Sequence, residues 1–409
     1  MTIWQNRTFL KMFSAFSLST FGDWFDAIAM MVLLSYTWQA DPMLLALIPL
    51  TFALPSVLFS QVAGILADRL PKLRLMIISD LLRAVVTALL IFAPGPFTAL
   101  ALITLRSLAG VFNLPAQQSL TRHVVAEHHL LKATSLNGLV SSMAKVLGPL
   151  LGASLMAVAS PELLFGINSA SYVLSALLLV SIGRPVESEA QVAATAEAHA
   201  DAPKQKQSMG EMWREGWGVV FRNRLLLASV VFMLVGFTAV QFIDYQFTTV
   251  FREVAPDNYA LPGWYIAMIG LGSVCSITYL NRLDTIKNHG WVLGGGLFLV
   301  GIMVGSIGLM KPGMNLWMPL LCAFFGGIGN GMANVGGNYF MQKEIPKEML
   351  GRVFGIFESV RSALFIVAPL TGGVLVQSLG PFQTFQITSV ALLVIGAIGI
   401  LFQRLIWKQ

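Results

Sequence analysis

Apolar runs long enough to cross a bilayer follow one another along nearly the whole chain. A membrane-spanning helix needs about 20 predominantly apolar residues, and the sequence contains twelve runs of this kind. We predict membrane helices over 10–37, 43–67, 75–94, 97–120, 131–159, 162–182, 225–251, 260–281, 290–310, 315–340, 352–378 and 382–403. The pattern therefore predicts an all-α membrane protein with twelve transmembrane helices.

One polar stretch interrupts this pattern between the sixth and seventh runs. The segment "RPVESEAQVAATAEAHADAPKQKQS" has few large apolar residues and no helical periodicity, which is typical of a flexible linker. In "MGEMWREGWGVVFRNR", which follows, apolar residues recur at helical spacing between arginines. This predicts an amphipathic helix on the inner membrane surface, with a plain connecting helix as the alternative. The predicted domains are a six-helix bundle over 1–183, a cytoplasmic linker with this helix over 184–223, and a second six-helix bundle over 224–409.

The two predicted bundles carry traces of a shared sequence. "GPLLGASL" (148–155) matches "APLTGGVL" (368–375) at an offset of 220. At an offset of 221, three further pairs coincide, namely Asn113 with Asn334, Glu127 with Glu348, and Asp23 with Asp244. Agreement at separate places predicts a duplicated six-helix unit with both copies in the same orientation. Parallel repeats of this kind belong to transporters that rock one half against the other.

The charges are few and unevenly distributed. Charged residues make up 11% of the chain, with 26 Lys and Arg against 20 Asp and Glu, whereas soluble domains carry about 25% charged residues. With the N-terminus in the cytoplasm, twenty of the basic residues fall in predicted inner segments and two in outer ones. The positive-inside rule therefore places both termini in the cytoplasm. It also accounts for the basic excess without nucleic-acid binding.

The sequence lacks the motifs that indicate secretion, metal binding, ATP hydrolysis or nucleophilic catalysis. The first apolar run is too long for a cleaved signal peptide and is expected to remain as the first span. The two cysteines lie in predicted spans, and the five histidines have no metal-ligand spacing. There is no Walker A sequence and no credible nucleophile, base and orienting group. We therefore expect a protein that is not an enzyme and has no cofactor and no metal site.

The stretch "FGDWFDAIAMM" (21–31) places two acids inside the first predicted span. Charged residues at this depth are costly and usually face a cavity or a partner. Asp23 and Asp26 are three residues apart and share a helix face. Because two poorly hydrated carboxylates repel, at least one is expected to hold a proton near neutral pH. A permanent structural pair of Asp23 with Arg106 or Lys145 is the alternative.

Other polar residues in predicted spans complete the candidate site. We predict Lys145, near the middle of span five, and Asp244, in the outer half of span seven, as residues of a substrate cavity. Trp24 and Tyr245 could line a pocket for a large apolar ligand, and ordinary helix packing explains them equally well. Two i, i+3 pairs lie nearer the cytoplasm. Asp80 with Arg83 is interpreted as an interfacial anchor, and Glu358 with Arg361 is interpreted as an intrahelical ion pair.

Three short motifs resemble those of a known family. "GILADRLPKLR" (64–74) resembles the G-x-x-x-D-R-x-G-R-R signature of the major facilitator superfamily. "RSLAG" (106–110) resembles its span-four motif, and "GPLLGA" (148–153) is similar to the antiporter motif G-P-x-x-G-G. "NLPAQQSLTRHVV", "LLKATSLNG", "LLFGINSASYVLS" and "EMLGRVFGI" together resemble the drug/proton antiporter branch that contains macrolide efflux proteins and the enterobactin exporter.

The resemblance implies roles for particular positions. It implies that Arg106 approaches the acid of span one and responds to its protonation. It implies close packing and bending of span five at the antiporter motif, Gly148, Pro149 and Gly152. It also implies a cytoplasmic gate formed by Gly64, Asp68, Arg69, Arg74, Glu127 and Arg352.

Together these features predict a proton-driven exporter that works by alternating access. We expect a hydrophobic drug or macrolide-like compound as substrate, with a siderophore or a lysophospholipid as alternatives and a non-transporting membrane scaffold as the alternative class. Asp23 is the expected proton site, and Asp26 is expected to tune it or to contact substrate. The expected partners are a small-molecule substrate, protons and membrane lipid, with no nucleic acid. We expect a monomer in the bacterial cytoplasmic membrane.

Overall fold

The computed structural model describes residues 3–183, 209–283, 285–286, 288–346 and 349–407. Within these ranges, the side chains of 65, 68, 69, 209–213 and 351 are not described. The described chain is helical and contains no strand. This is the expected response of an apolar chain to lipid, because a helix satisfies its own backbone hydrogen bonds where no water can do so.

The helices follow one another with short connections. In chain order they are α1 (Arg7–Val32), α2 (Pro42–Ala46), α3 (Ile48–Arg69), α4 (Lys72–Leu90), α5 (Pro96–Gly110), α6 (Asn113–Val124), α7 (Glu127–Met156), α8 (Pro161–Val180), α9 (Met209–Arg222), α10 (Arg224–Ile243), α11 (Phe247–Val254), α12 (Leu261–Leu280), α13 (Gly295–Gly308), α14 (Trp317–Glu344), α15 (Leu350–Leu379), α16 (Pro381–Leu401) and α17 (Gln403–Ile406). A 3₁₀ turn covers Ile3–Gln5, and π-helical turns cover Leu33–Thr37 and Gly290–Gly294.

The predicted all-α membrane fold is confirmed. Eleven helical stretches of the described chain are long and apolar enough to cross a membrane. The remaining predicted span, 75–94, corresponds to α4, which is 19 residues long and carries four charged residues. Two of these charges, on Asp80 and Arg83, are turned inward and largely buried. A hydropathy criterion alone therefore underestimates how well α4 suits a membrane protein.

Two predicted spans are interrupted by a break of two or three residues, and a third, over 43–67, is divided at Leu47 into α2 and α3. The span predicted over 97–120 consists of α5 and α6, which meet at Val111 and Phe112. The span predicted over 225–251 consists of α10 and α11, separated by residues 244–246. The cause of the second break lies in Tyr245, whose φ of 63° is left-handed and incompatible with a continuous α-helix.

The chain folds into two compact units. The first comprises Met1–Ala40 and Ile48–Lys204, and the second comprises Asp41–Leu47 and Gln205–Gln409. In the first unit, α1 packs mainly against α8 and α7, and α4 packs against α8 and α5. In the second, α12 packs against α14, and α13 against α16 and α14. Residues 184–208 of the predicted linker lie outside the described part, so the linker stays a prediction.

A short segment from the first half of the sequence belongs to the second unit. Helix α2 packs against α15, where a Cβ at Gly373 would lie 2.7 Å from the Cβ of Ala46. The side-chain amide of Gln246 donates a hydrogen bond of 2.8 Å to the carbonyl oxygen of Pro42. The Asp41–Leu47 segment is thus held by both packing and a hydrogen bond.

The region predicted as an amphipathic helix forms α9. Its exposed Phe221 stacks on Trp217 with ring centroids 5.2 Å apart, and Val220 is buried in the second unit. Glu215 of α9 forms an ion pair with Arg352 at the start of α15. The contacts attach α9 to the second unit, and its predicted place on the inner membrane surface stays a prediction.

Candidate functional site

A cluster of charged side chains lies inside the first unit, where α1, α4, α5 and α8 meet. Its centre is the carboxylate of Asp23 in α1. Nη2 of Arg83 lies 2.9 Å and 3.0 Å from the two oxygens of this carboxylate. Nη1 of Arg106 lies 3.2 Å from Oδ1, and the Tyr172 hydroxyl donates a hydrogen bond to the same oxygen. Asp23 therefore has three partners on three other helices, while 38% of its side chain remains exposed.

Asp26 lies on the same face of α1, as its spacing predicts, but in a different environment. Its side chain is completely buried. Nη1 of Arg106 lies 2.6 Å from its Oδ2. Its other oxygen, Oδ1, is buried, and its polar neighbour is the buried side-chain amide of Asn168 in α8 rather than a second cation. Asp26 thus has one charged partner, Arg106, and one neutral polar neighbour.

Arg106 is the bridge between the two acids. The same nitrogen, Nη1, contacts Asp23 and Asp26 and lies 3.2 Å from the Tyr172 hydroxyl oxygen. The sequence predicted an approach of Arg106 to the acid of span one. In the structure the shorter contact is with Asp26, for which no partner was predicted.

The interpretation of Asp80 and Arg83 as an interfacial anchor is wrong. Arg83 reaches into the cluster, where its guanidinium carbon lies 4.1 Å above the centre of the Tyr172 ring and Nη1 lies 3.7 Å from Asp80 Oδ1. Asp80 accepts hydrogen bonds of 2.9 Å from Asn113 Nδ2 and 2.6 Å from Ser175 Oγ. Arg83 is the twelfth of the 19 residues of α4, far enough from either end to pair within the unit.

The sequence also missed the contribution of α8. Tyr172 is completely buried and contacts both arginines and Asp23. A signal was present in "NSASYVLS", where polar residues recur at 168, 171, 172 and 175. Such spacing places them on one face of a helix. A polar stripe on an apolar helix predicts a face turned toward other polar groups, and the structure places that stripe against the acids of α1.

Charge balance is the property that distinguishes this cluster. It contains three carboxyl groups, Asp23, Asp26 and Asp80, and two guanidinium groups, Arg83 and Arg106. Fully ionised, it therefore has one negative charge in excess. Burying an unbalanced charge in a membrane span costs at least ~2.5 kcal/mol. One bound proton makes the cluster neutral.

The antiporter motif shapes the other side of α1. A Cβ on Gly148 of α7 would lie 2.5 Å from the Cβ of Trp24, so only glycine permits this approach of α7 to α1. A Cβ on Gly152 would lie 3.3 Å from the side chain of Ile28. Pro149 lies inside α7, which continues through it. The motif thus packs α7 against the face of α1 next to the acids.

The structure does not bring Lys145 to the acids. Its side chain is exposed on α7, and it makes no ion pair with a described residue of the cluster. The alternative of a permanent pair between Asp23 and Lys145 is therefore wrong. A role for Lys145 in a substrate cavity stays a prediction.

Asp244 differs from Asp23 although the sequence offset pairs them. Asp23 lies inside a long helix, whereas Asp244 is the first residue after α10, and its backbone amide donates to Val240. No ion pair joins Asp244 to another described residue. Tyr245 follows with its left-handed backbone, and Phe247 stands where the first repeat has Asp26. The second unit therefore does not duplicate the charge cluster.

The predicted cytoplasmic gate is only partly described. Gly64 lies in α3, Arg74 and Glu127 lie in the first turns of α4 and α7, and Arg352 lies in the first turn of α15. Asp68 and Arg69 end α3, but their side chains lie outside the described residues. Arg352 pairs with Glu215 of α9, a contact that was not predicted. The gate itself stays a prediction.

Long apolar helices in two compact units, with an ion cluster buried inside one of them, define a polytopic membrane protein of the transporter class. The sequence model of the Major Facilitator Superfamily matches residues 12–282 and 257–408. The chain therefore belongs to this superfamily of transporters, which is not a class of enzymes.

Relatives with similar sequences or folds cover almost the entire chain. The uncharacterized MFS-type transporter YfiS of Bacillus subtilis (strain 168) is 25% identical over 405 residues, covering 98% of this chain and 94% of the relative. Macrolide efflux protein A of Streptococcus pyogenes is 21% identical over 384 residues, covering 91% of each chain. The crystal structure of a bacterial homologue of the human lysosomal transporter Spinster matches with a TM-score of 0.68 and 13% identity, over 100% of this chain and 98% of that one. The structural likeness concerns the fold alone.

Proposed function

We propose that this protein is a proton-coupled exporter of a hydrophobic drug or macrolide-like compound. The observation that carries the proposal is the buried cluster with three acids and two arginines. Such a cluster binds a proton reversibly because the proton removes the excess charge. Sequence similarity to a macrolide efflux protein along most of both chains supports the direction and the substrate class.

Exposure suggests how the proton enters and where it is held. Asp23 is the cluster acid with a substantially exposed side chain, so it is the one that water can reach. Asp26 is fully buried, and its Oδ1 is the oxygen that does not face Arg106, so a proton can be held there away from water. We therefore assign entry to Asp23 and storage to Asp26. The sequence alone predicts Asp23 as the proton site and Asp26 as a residue that tunes it or contacts substrate.

The arginines couple protonation to helix contacts. While both acids are ionised, they share Arg106, which ties α5 to α1. A proton on Asp26 weakens its hold on the guanidinium, which then remains with Asp23 and Tyr172. Arg83 makes the parallel connection from α4 to Asp23 of α1, and it also pairs with Asp80 within α4. Protonation therefore changes the contacts among α1, α4 and α5 inside the first unit, and through them we propose that it is coupled to alternating access.

Proteoliposomes loaded with a radiolabelled macrolide, and carrying an entrapped pH indicator, test the function. We expect imposed proton gradients to drive macrolide flux together with proton counterflow. Asp23→Asn and Asp26→Asn are each expected to abolish coupling. Asp257→Asn removes an exposed acid beyond α11 and serves as the matched control, with unchanged flux. Undiminished proton-driven flux in both cluster variants would refute the assignment.

We further propose that the chain is a monomer in the bacterial inner membrane with both termini in the cytoplasm. The distribution of basic residues between alternate connections supports this orientation. Reporter fusions after residue 409 test it. Activity of a reporter that functions only outside the cytoplasm would contradict the orientation.

A further inference from the structure

The second unit contains a polar cavity of about 290 Å³ that the charge cluster does not explain. It is lined by residues of α10, α13, α14 and α15, all of which belong to that unit, and it opens to the surface at its polar side. Its polar lining consists of Gln241, Asn330, Asn334, Asn338, Glu358 and Arg361. Small-ligand pockets usually measure about 300–1,000 Å³, so this one suits a single chemical group better than a whole drug.

Three asparagines of the lining form a stripe along α14. They recur every four residues and thus share one helix face. Glycines occupy other faces of α14, where they allow close packing, and a Cβ on Gly327 would lie 2.0 Å from the carbonyl oxygen of Ile269 in α12. Asparagine is a poor helix former, and polar groups in membrane spans usually face a cavity or a partner. The stripe is therefore positioned toward the cavity by the packing of the opposite faces.

Hydrogen bonds to the backbone one turn earlier orient the side-chain amides of Asn334 and Asn338. Nδ2 of Asn334 donates to the backbone oxygen of Asn330 at 3.0 Å, and Nδ2 of Asn338 donates to that of Asn334 at 2.8 Å. These bonds occupy amide donors. The side-chain oxygens of Asn334 and Asn338 accept no hydrogen bond from a described residue, and both side chains are exposed. Two acceptors are thus available to a ligand that donates hydrogen bonds.

Gln241 supplies the complementary donor from α10. Its side chain is only 6% exposed, and its Nε2 is buried without a hydrogen-bond partner among the described residues. A buried donor without a partner is unfavourable, and this one belongs to a residue that lines the cavity. A ligand that also accepts hydrogen bonds would satisfy it.

The charges at this cavity cancel. Nε of Arg361 lies 3.2 Å from Glu358 Oε2, and both side chains are about half exposed. The guanidinium of Arg361 also lies 5.4 Å from the centre of the Phe237 ring. The cavity therefore offers hydrogen-bond acceptors, a buried donor and an aromatic wall without a net charge. A neutral group that both donates and accepts hydrogen bonds fits this lining.

We propose that this cavity binds a neutral polyhydroxyl group, such as a glycosyl ring, carried by an amphiphilic substrate. Hydroxyl groups donate to the free oxygens of Asn334 and Asn338 and accept from Gln241. The ring face packs on Phe237. This inference rests on the proposed export function and adds to it the chemical class of group that the second unit selects.

Equilibrium binding without an ion gradient tests the inference separately from transport. The probes are a radiolabelled glycosylated macrolide and the same lactone without its sugars, added to purified protein in lipid nanodiscs. We expect the unchanged protein to prefer the glycosylated probe by about tenfold or more, the effect of one or two hydrogen bonds. Asn334→Leu and Gln241→Met are each expected to remove most of this preference while retaining binding of the lactone.

The choice of variants keeps the result interpretable. Asn334 is exposed, so its replacement tests the cavity even where the buried Gln241→Met variant fails to fold. Asn281→Ala alters an exposed asparagine at the end of α12 and should keep the preference. A preference that persists in Asn334→Leu, or is absent from the unchanged protein for every glycosylated probe, overturns the inference. Loss of proton-driven flux with the preference intact would instead contradict only the proposed function.

A second pair of probes identifies the source of the glycosyl group. A glucosyl-diacylglycerol and the corresponding diacylglycerol are incorporated into the nanodiscs in separate preparations. Preference for the glycosylated member of this pair, lost in Asn334→Leu, supports a lipid headgroup as ligand. The same result with the macrolide pair supports a soluble compound, and either result supports the cavity as a polyhydroxyl site.

Discussion

The charge balance of the cluster makes a numerical prediction for Asp80→Asn. With three acids and two arginines, the cluster is expected to hold one proton at neutral pH. Asp80→Asn removes one acid, so the remaining two acids balance the two arginines without a proton. The substitution should therefore leave the net charge of the native protein unchanged, because it removes one negative charge and one bound proton together.

The strength of this preference follows from the free-energy cost of the alternative state, in which the cluster keeps an unbalanced charge. An unbalanced charge in a membrane span costs ~2.5–3.5 kcal/mol, which corresponds to about a hundredfold preference for the balanced state. Asparagine can still accept from Asn113 and can contact Ser175, so the local penalty should stay near the ~1 kcal/mol of one hydrogen bond. The variant is therefore expected to fold.

Native electrophoresis at pH 7 in a neutral detergent, with a proton titration of the same samples, measures the outcome. Asp257→Asn removes an exposed acid outside the cluster and should raise the net charge by a full unit. Asp80→Asn should leave it unchanged, and it should also lose proton-coupled transport in proteoliposomes. A full unit of added charge in Asp80→Asn, equal to that of the control, would refute the charge-balance reasoning.

Two further predictions concern stability and use thermal unfolding in detergent as the measurement. Gly148→Ala places a Cβ 2.5 Å from that of Trp24 and should destabilise the first unit by about 1–3 kcal/mol. The control Gly64→Ala, whose added Cβ meets open space, should have little effect on stability. Equal losses of stability in the two variants would contradict the packing argument. Gln39→Gly should stabilise the protein by about 0.5–1 kcal/mol. The strain of the left-handed backbone at Gln39 (φ 48°), which glycine relieves, exceeds the entropy cost of glycine. A loss of stability in this variant would contradict the prediction.

The sequence predicted the fold because hydropathy is a local property of each helix. It also located Asp23, Asp26 and Arg106, since a charge in an apolar run is conspicuous whatever its partners. The roles of Arg83, which the sequence suggested as an anchor, and of Tyr172, which it did not suggest at all, could not be predicted for a different reason. Their importance depends on which faces of α4 and α8 meet α1, and this is decided by packing between helices that lie far apart in sequence.

The sequence offset that pairs positions of the two units is misleading about their chemistry. The offset that pairs Asp23 with Asp244 aligns two positions whose backbones differ, because Tyr245 ends the helix in the second unit. The same offset paired Asn113 with Asn334. Asn113 supports an acid of the cluster, whereas Asn334 lines the polar cavity. Positions that the offset pairs thus have different surroundings and different polar partners in the two units.

The membership of Asp41–Leu47 in the second unit has a consequence for experiments that divide the protein. A cut in the 184–208 region would separate Pro42 from its donor Gln246 and remove Ala46 from its place on α15 at Gly373. A chimaera that takes its two halves from different relatives would create the same mismatch. Residues 41–47 should therefore be transplanted together with the C-terminal half, so that the exchange boundary follows the contacts and not the midpoint of the sequence.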